Sequence, residues 1–364
     1  GTTVVIGAPN EPGGDGLSGT AYVFVLEDGV WSEAQRLVPP DAAPGDSFGA
    51  SVAIDGDVLV VGAPGHEHGA VGNGRGAAYV FRWNGTSWVF EDELLAPDGS
   101  DFDRFGYAVD VSGDAVVASA LFWEPSGSTL VNPGGAYVFR RLGASWLYEQ
   151  TLVSSTPMDD EYFGAAVAID GDDVLIGAWR GTGAVGLAGA AYAFRYDGSS
   201  WETAGKLFAP ASEAVSNMFF GIDVALHDGT AIVGAYGAVP GGVYEAGAAY
   251  VFTRSGSVWG APVRLTASDG VTLDQFGRAV DVHGRYVLVS APGRNDGASN
   301  AGVVYLFHLD ESVWTQQALL QPSEPGEDDY LGEAIALSDT LAVVGNEQDD
   351  DDGAESGSVY AYLK

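Results

Sequence analysis

The chain has 364 residues, with 15 Lys+Arg against 50 Asp+Glu for a formal charge of -35, 53 glycines and no cysteine. Its basic residues are scattered, so the dense patch that phosphate neutralisation requires is missing, which argues against a nucleic-acid partner. Without cysteine there is neither a disulfide nor a thiolate metal site, and no apolar run approaches the roughly 20 residues of a membrane-spanning helix.

Glycine at about twice its usual share, with charged residues at only 18%, reads as turn-dense β structure. Along the chain, Gly7-Ala8-Pro9 closes a first apolar run, and Tyr22 and Trp31 follow. The segment FGASVAIDGDVLVVGAP then begins at Phe48. Similar segments begin at Phe105, Phe163, Phe220, Phe276 and Leu331, 55 to 58 residues apart. Tyrosines recur at Tyr22, Tyr79, Tyr137, Tyr192, Tyr250, Tyr305 and Tyr360, and tryptophans at Trp31, Trp88, Trp146, Trp201, Trp259 and Trp314. Within one unit, Ala50 to Ile54 alternates, Asp55-Gly56-Asp57 turns the chain, and Val58 to Val61 is continuously apolar. A third strand over Ala77 to Arg82 and a fourth over Ser87 to Leu95 complete an antiparallel meander.

The units, roughly 1–47, 48–104, 105–162, 163–219, 220–275, 276–330 and 331–364, fill residues 1–364 as one all-β domain. Sheets of this kind can close radially, so the expected fold is a seven-bladed β-propeller of four-stranded antiparallel blades. The strand count is uneven, with seven second and seven third strands but six first and six fourth ones. The missing pair is consecutive in cyclic order. The expectation is that an upstream segment or a neighbouring chain donates it.

The Phe-Gly and Gly-Ala-Pro segments resemble the FG-GAP repeat of integrin α-subunit propellers and of bacterial and archaeal surface proteins. That resemblance implies an extracellular or cell-surface protein. In integrin-type repeats the turn between first and second strands carries a calcium loop, but here it shrinks to turns such as Asp55-Gly56-Asp57 and His283-Gly284-Arg285. Two carboxylates cannot supply the six to eight oxygens that calcium takes. Asp46, Asp103, Glu161, Asp274 and Asp329 each stand two residues before the Phe-Gly or Leu-Gly position, a regularity that suggests carboxylates fixing loops through backbone N–H groups.

Three places depart from the repeat. Asp349 and Asp351, with Glu355, present alternate carboxylates that could take calcium. His66 and His68 place two imidazoles on one side of an extended segment, a spacing found in some zinc sites. Where other units carry proline, the third to fifth carry Leu121 with Phe122 and Trp123, then Trp179 with Arg180, then Tyr236, which offer aromatic surface for a sugar or a protein. The sequence reading is therefore a non-catalytic recognition or adhesion propeller that binds a protein or glycan, with no required cofactor and calcium as an option. Its alternatives are a structural subunit of a surface assembly completed by another chain's strands, and a polysaccharide lyase or hydrolase on the same scaffold.

Overall fold

The hairpin expected at Asp55-Gly56-Asp57 pairs Ser51–Asp55 with Val58–Ala63, Asp55 lying opposite Val58. Gly56 takes the positive φ of 57° that the tight turn requires. Ala77–Trp83 and then Trp88–Leu94 extend this second sheet in chain order. In the computed structural model, which describes residues 2–11, 16–67, 73–322, 324–349 and 357–364, the same meander recurs seven times, and the chain is a seven-bladed β-propeller.

The first sheet is Thr3–Ala8, Thr20–Glu27 and Val30–Leu37. The third is Phe105–Ser112, Ala115–Ala120, Gly135–Leu142 and Ser145–Leu152, and the fourth is Phe163–Asp170, Asp173–Ala178, Ala190–Tyr196 and Trp201–Leu207. Val224–His227, Thr230–Ala235 and Ala248–Ser255 begin the fifth. The sixth is Val280–His283, Tyr286–Ala291, Val303–Asp310 and Val313–Leu320. Ile335–Leu337, Leu341–Asn346 and Ser358–Leu363 form the seventh. Among the described residues the first sheet lacks a first strand and the seventh a fourth, the same pair that the strand count leaves out. The fifth sheet departs from expectation: its fourth strand is broken into Val258–Trp259 and Val263–Leu265. Pro262 lies in the break, where it has no N–H to give a ladder.

Two compact units divide within the fourth sheet, Thr2–Ile176 with Phe194–Thr203 and Gly177–Ala193 with Ala204–Lys364. In the former, Phe48 is fully buried edge-on against Tyr79 and Phe81, at 5.5 and 6.2 Å, and closes a core shared with Ala21, Val23 and Leu37 of the preceding sheet. In the latter, Phe276 makes the same contacts with Tyr305 and Phe307, at 5.4 and 6.0 Å. Aromatic wedges therefore fill the space between neighbouring sheets.

Side chains also latch several sheets to the next. The fourth strand of the second sheet bulges so that Glu91 falls outside the ladder, Val80 pairing with Asp92 and Phe81 with Phe90. Glu91 accepts the Trp146 indole N–H at 3.0 Å, and Asp92 accepts the Trp146 backbone N–H at 3.0 Å. One sheet further on, Glu149 accepts from the Trp201 indole at 2.9 Å, and Gln150 bonds both the N–H and the C=O of Trp201. Gln35 grips Trp88 in the same two-bond manner. At the first strands, Asp110 accepts the N–H of Val111 and that of Ile169 in the following sheet, at 2.8 and 2.7 Å. Asp223 does so for Val224 and Val280, and Asp281 for Val282 and Leu337. Burial outweighs these bonds at Asp110 and Asp223, pushing their carboxyls up to about 7 and about 6.

Such latches need backbones in near contact. A Cβ on Gly62 would overlap the Gly106 carbonyl oxygen of the next sheet, and Gly106 itself holds a φ of 82° with its own Cβ direction blocked by the Ala77 carbonyl. Gly106→Ala combines left-handed strain of about 1–2 kcal/mol with a backbone collision. It is expected to lower the urea-unfolding free energy by at least about 2 kcal/mol, whereas Gly113→Ala, where nothing lies within 4 Å, loses only the turn strain.

Candidate functional site

The third-strand tyrosines reach the connections that enter each sheet, and their hydroxyls donate to carboxylates there: Tyr79 to Asp41 at 2.9 Å, Tyr137 to Asp98 at 2.8 Å and Tyr305 to Asp269 at 3.0 Å. Five residues after each of these lies the buried carboxylate that precedes Phe-Gly. Asp46, Asp103, Asp274 and Asp329 accept the N–H of Ala43, Ser100, Val271 and Gly326 at 2.6–2.8 Å. Glu161 reaches Met158 N–H and the Ser154 hydroxyl. These acids fix loops, as their spacing suggested. Asp103 is pushed up to about 6, chiefly by burial.

His66 sits inside this framework in the second sheet. It is 5% exposed, with Nδ1 lying 3.3 Å from Asp46 Oδ2 and 3.3 Å from the Tyr79 hydroxyl. Nε2 lies 3.7 Å from Asp41 and 3.5 Å from Glu93. Donor atoms of Asp41, His66 and Glu93 all fall within 4.8 Å of one another, a set that could hold a divalent ion. His68, the other imidazole of the expected pair, is outside the described residues.

The sixth sheet identifies what the place is shaped for. There Arg294 stands where His66 does, 3.0 Å from Asp274 and 2.7 Å from Asp269, with Tyr305 on Asp269. Asp269 and Asp274 repeat Asp41 and Asp46 at the same five-residue spacing. In these two sheets the carboxylate pair therefore faces a basic side chain. Burial opposes protonation of His66, but Asp46, Asp41 and Glu93 together outweigh it and raise the imidazole pKa above its ordinary 6.5.

The same position beside the tyrosine holds different chemistry in other sheets. Glu11 accepts the Tyr22 hydroxyl at 2.6–2.7 Å. Asp349, expected to turn toward a cation, is instead 5% exposed and accepts the Ser358 hydroxyl at 2.5 Å and that of Tyr360 at 3.5 Å. Asp351 and Glu355 lie outside the described residues. Trp123, expected as a binding surface, also occupies this position. It is 6% exposed and packs edge-on to Tyr137 at 6.3 Å, because Gly135 leaves room for the indole. It is a core residue.

The remaining aromatic candidates come together. Trp179 lies 5.4 Å from Phe219, and Phe219 stacks on Tyr236 at 4.7 Å and 12°. The Arg180 guanidinium is 5.9 Å from the Trp179 ring and Arg278 is 5.7 Å from Tyr236; Arg278 also pairs with Glu333 at 3.1 Å. All these side chains are half-buried. Sequence reading missed Phe219, the middle ring. Its signal is the residue before Phe-Gly, which is left-handed throughout: Ser47, Arg104, Tyr162, Phe219, Gln275 and Tyr330 have φ between 53° and 59°.

The FG-GAP repeat profile matches residues 31–81, 88–139, 146–194, 201–252, 259–307 and 314–362. Each match starts on a fourth-strand tryptophan and ends in the next sheet's third strand, so six repeats span seven sheets. No curated protein matches the sequence. Among solved structures, the chain is similar to a putative 6-phosphogluconolactonase from Bacteroides uniformis ATCC 8492, with a TM-score of 0.54 and 10% identity over 99% of both chains.

Because His66 gains its proton more readily when folded, its contribution to stability is complete below about pH 6.5 and is lost as pH rises through the higher folded value. Denaturant titrations from pH 5 to 9 are expected to show falling stability, with a shallower fall in His66→Arg, which keeps the charge as Arg294 does. An unchanged slope in that variant would contradict the assignment.

Proposed function

The chain belongs to the FG-GAP repeat family, and from that premise we propose that it is a non-catalytic recognition propeller of the extracellular space or cell surface. One observation carries this reading: the row Trp179, Phe219 and Tyr236, half-exposed and flanked by Arg180 and Arg278. Stacked rings offer apolar area at low conformational cost, and guanidinium groups pair with carboxylates. Of a protein or a glycan, the combination favours an acidic glycan. A surface setting agrees with the charge of -35, which opposes self-association. No helix among the described residues is long and apolar enough to cross a membrane. The reading requires no cofactor; calcium would assist only by bridging ligand and protein carboxylates. Likeness to the lactonase structure at 10% identity carries the fold alone.

A second reading, a subunit completed by a strand from another chain, rests on Ser358–Leu363, which pairs on one side only among the described residues and leaves Val359 38% and Leu363 82% exposed.

A glycan array, with uronic-acid polymers among its members, tests the first reading. Trp179→Ala and Tyr236→Ala are expected to weaken binding by about tenfold or more, as losing a central aromatic contact does, with little change in Tm. Trp123→Ala should instead cost about 3–5 kcal/mol of stability, the usual penalty for emptying a buried Trp site. Binding indifferent to Trp179 and Tyr236 would refute the assignment.

A further inference from the structure

The second sheet gathers more negative charge around one side chain than that side chain can balance. Carboxylate oxygens of Asp41, Asp46 and Glu93 lie 3.7, 3.3 and 3.5 Å from the ring nitrogens of His66, and a protonated imidazole brings a single positive charge. In the sixth sheet Arg294 meets two carboxylates, Asp269 and Asp274, and the residue opposite the tyrosine is Leu319. Opposite Tyr79 it is Glu93, whereas the first, third and fifth sheets place Arg36, Thr151 and Arg264 there. Histidine and the additional acid therefore come together in the second sheet, and no other donor set of this kind occurs among the described residues.

Distances separate a metal site from an ion pair here. Arg294 reaches its carboxylates at 2.7 and 3.0 Å, which are hydrogen-bond lengths. The shorter imidazole stops 3.7 Å from Asp41 Oδ2 and 3.5 Å from Glu93 Oε1. Zinc, holding nitrogen and oxygen tetrahedrally at its usual bond lengths, sets its ligand atoms about 3.3–3.6 Å apart, so both gaps have the span an interposed ion needs. Tyr79 donates to Asp41 Oδ1, which leaves Oδ2 turned toward His66. On the other side of the ring, Nδ1 lies 3.3 Å from Asp46 Oδ2, the carboxylate contact that a metal-ligating histidine makes through its second nitrogen. Asp46 is 1% exposed, and its Oδ1 has no hydrogen-bond partner among the described residues, so this corner holds more acceptors than its donors satisfy. The Asp41 side chain is 46% exposed and opens the set to solvent.

We propose that Asp41, His66 and Glu93 bind one zinc ion. Asp41 Oδ2, His66 Nε2 and the Glu93 carboxylate are its ligands, and water takes the fourth position on the side of Asp41. Zinc replaces the proton on Nε2, which leaves to solvent, while the Nδ1–H is given to Asp46. The ligands come from the connection entering the sheet, the loop after its second strand and its fourth strand, so the ion ties together three separate segments. Calcium suits the set less well, because it takes six to eight oxygens and imidazole supplies none.

Titration calorimetry of the chelator-treated full chain with zinc chloride tests this. One tight site per chain is expected, not displaced by about a tenfold excess of calcium. His66→Arg copies the sixth sheet, so it should keep the metal-free Tm and abolish the site. Glu93→Gln keeps the shape and should weaken binding by at least about tenfold, since even an outer partner of a ligand is worth that much. Zinc should raise the Tm of the unsubstituted chain and leave that of His66→Arg unchanged. Cobalt in the same site should give the intense visible absorption of tetrahedral coordination, and none in His66→Arg. His283→Asn, which breaks up the pair His227 and His283 whose rings lie 4.2 Å apart, should bind zinc normally. Absence of a stoichiometric site, full binding by His66→Arg, or loss of the site in His283→Asn would overturn the proposal, and displacement by calcium would overturn the choice of metal.

Discussion

The structure depends on how closely one sheet's backbone approaches the next. Glycine at Gly62 and Gly106 removes the side chains that would hold neighbouring sheets apart. At that separation, a side chain as short as Asp110 spans from its own strand to the N–H of Ile169. Further out the sheets diverge, and Phe48, Tyr79 and Phe81 fill the wedge between them. The spacing of 55 to 58 residues follows from this geometry, since each unit must return the same glycines and rings to the same depth.

A scaffold fixed in this way leaves certain positions free to vary, and the chemistry lies there. The residue beside the third-strand tyrosine is Glu11, His66, Trp123, Arg294 or Asp349 in different sheets, and each is accommodated without moving the strands. Beside Asp41 and Asp46 it is His66 and beside Asp269 and Asp274 it is Arg294, whereas beside Asp98 and Asp103, at the same spacing, it is Trp123.

Much of the architecture was legible because it rests on local, repeated signals. Asp-Gly turns, apolar second strands and the Tyr-x-aromatic pattern place every sheet, and counting them reveals the uneven first and seventh. The loop-fixing role of Asp46 and its equivalents was readable from their constant offset. Sequence could not place side chains whose surroundings come from another strand or another repeat. Trp123 reads as an exposed departure until Gly135 is seen to make room for it. The kinship of His66 with Arg294 depends on aligning two loops against their tyrosines, and Phe219 was hidden beside the Phe-Gly motif it precedes. The break at Pro262 required the register of the fifth sheet.

Amide hydrogen exchange at the latch positions tests the central claim most directly. Val109, Ile169, Val280 and Leu337 donate to Ser51, Asp110, Asp223 and Asp281 of the preceding sheet rather than to a strand of their own. If sheet-to-sheet approach governs the fold, these amides exchange as slowly as ladder amides such as Val60 and Val117. Exchange as fast as at the open turn glycines Gly85 and Gly143 would mean that the sheets are held by their side-chain wedges alone.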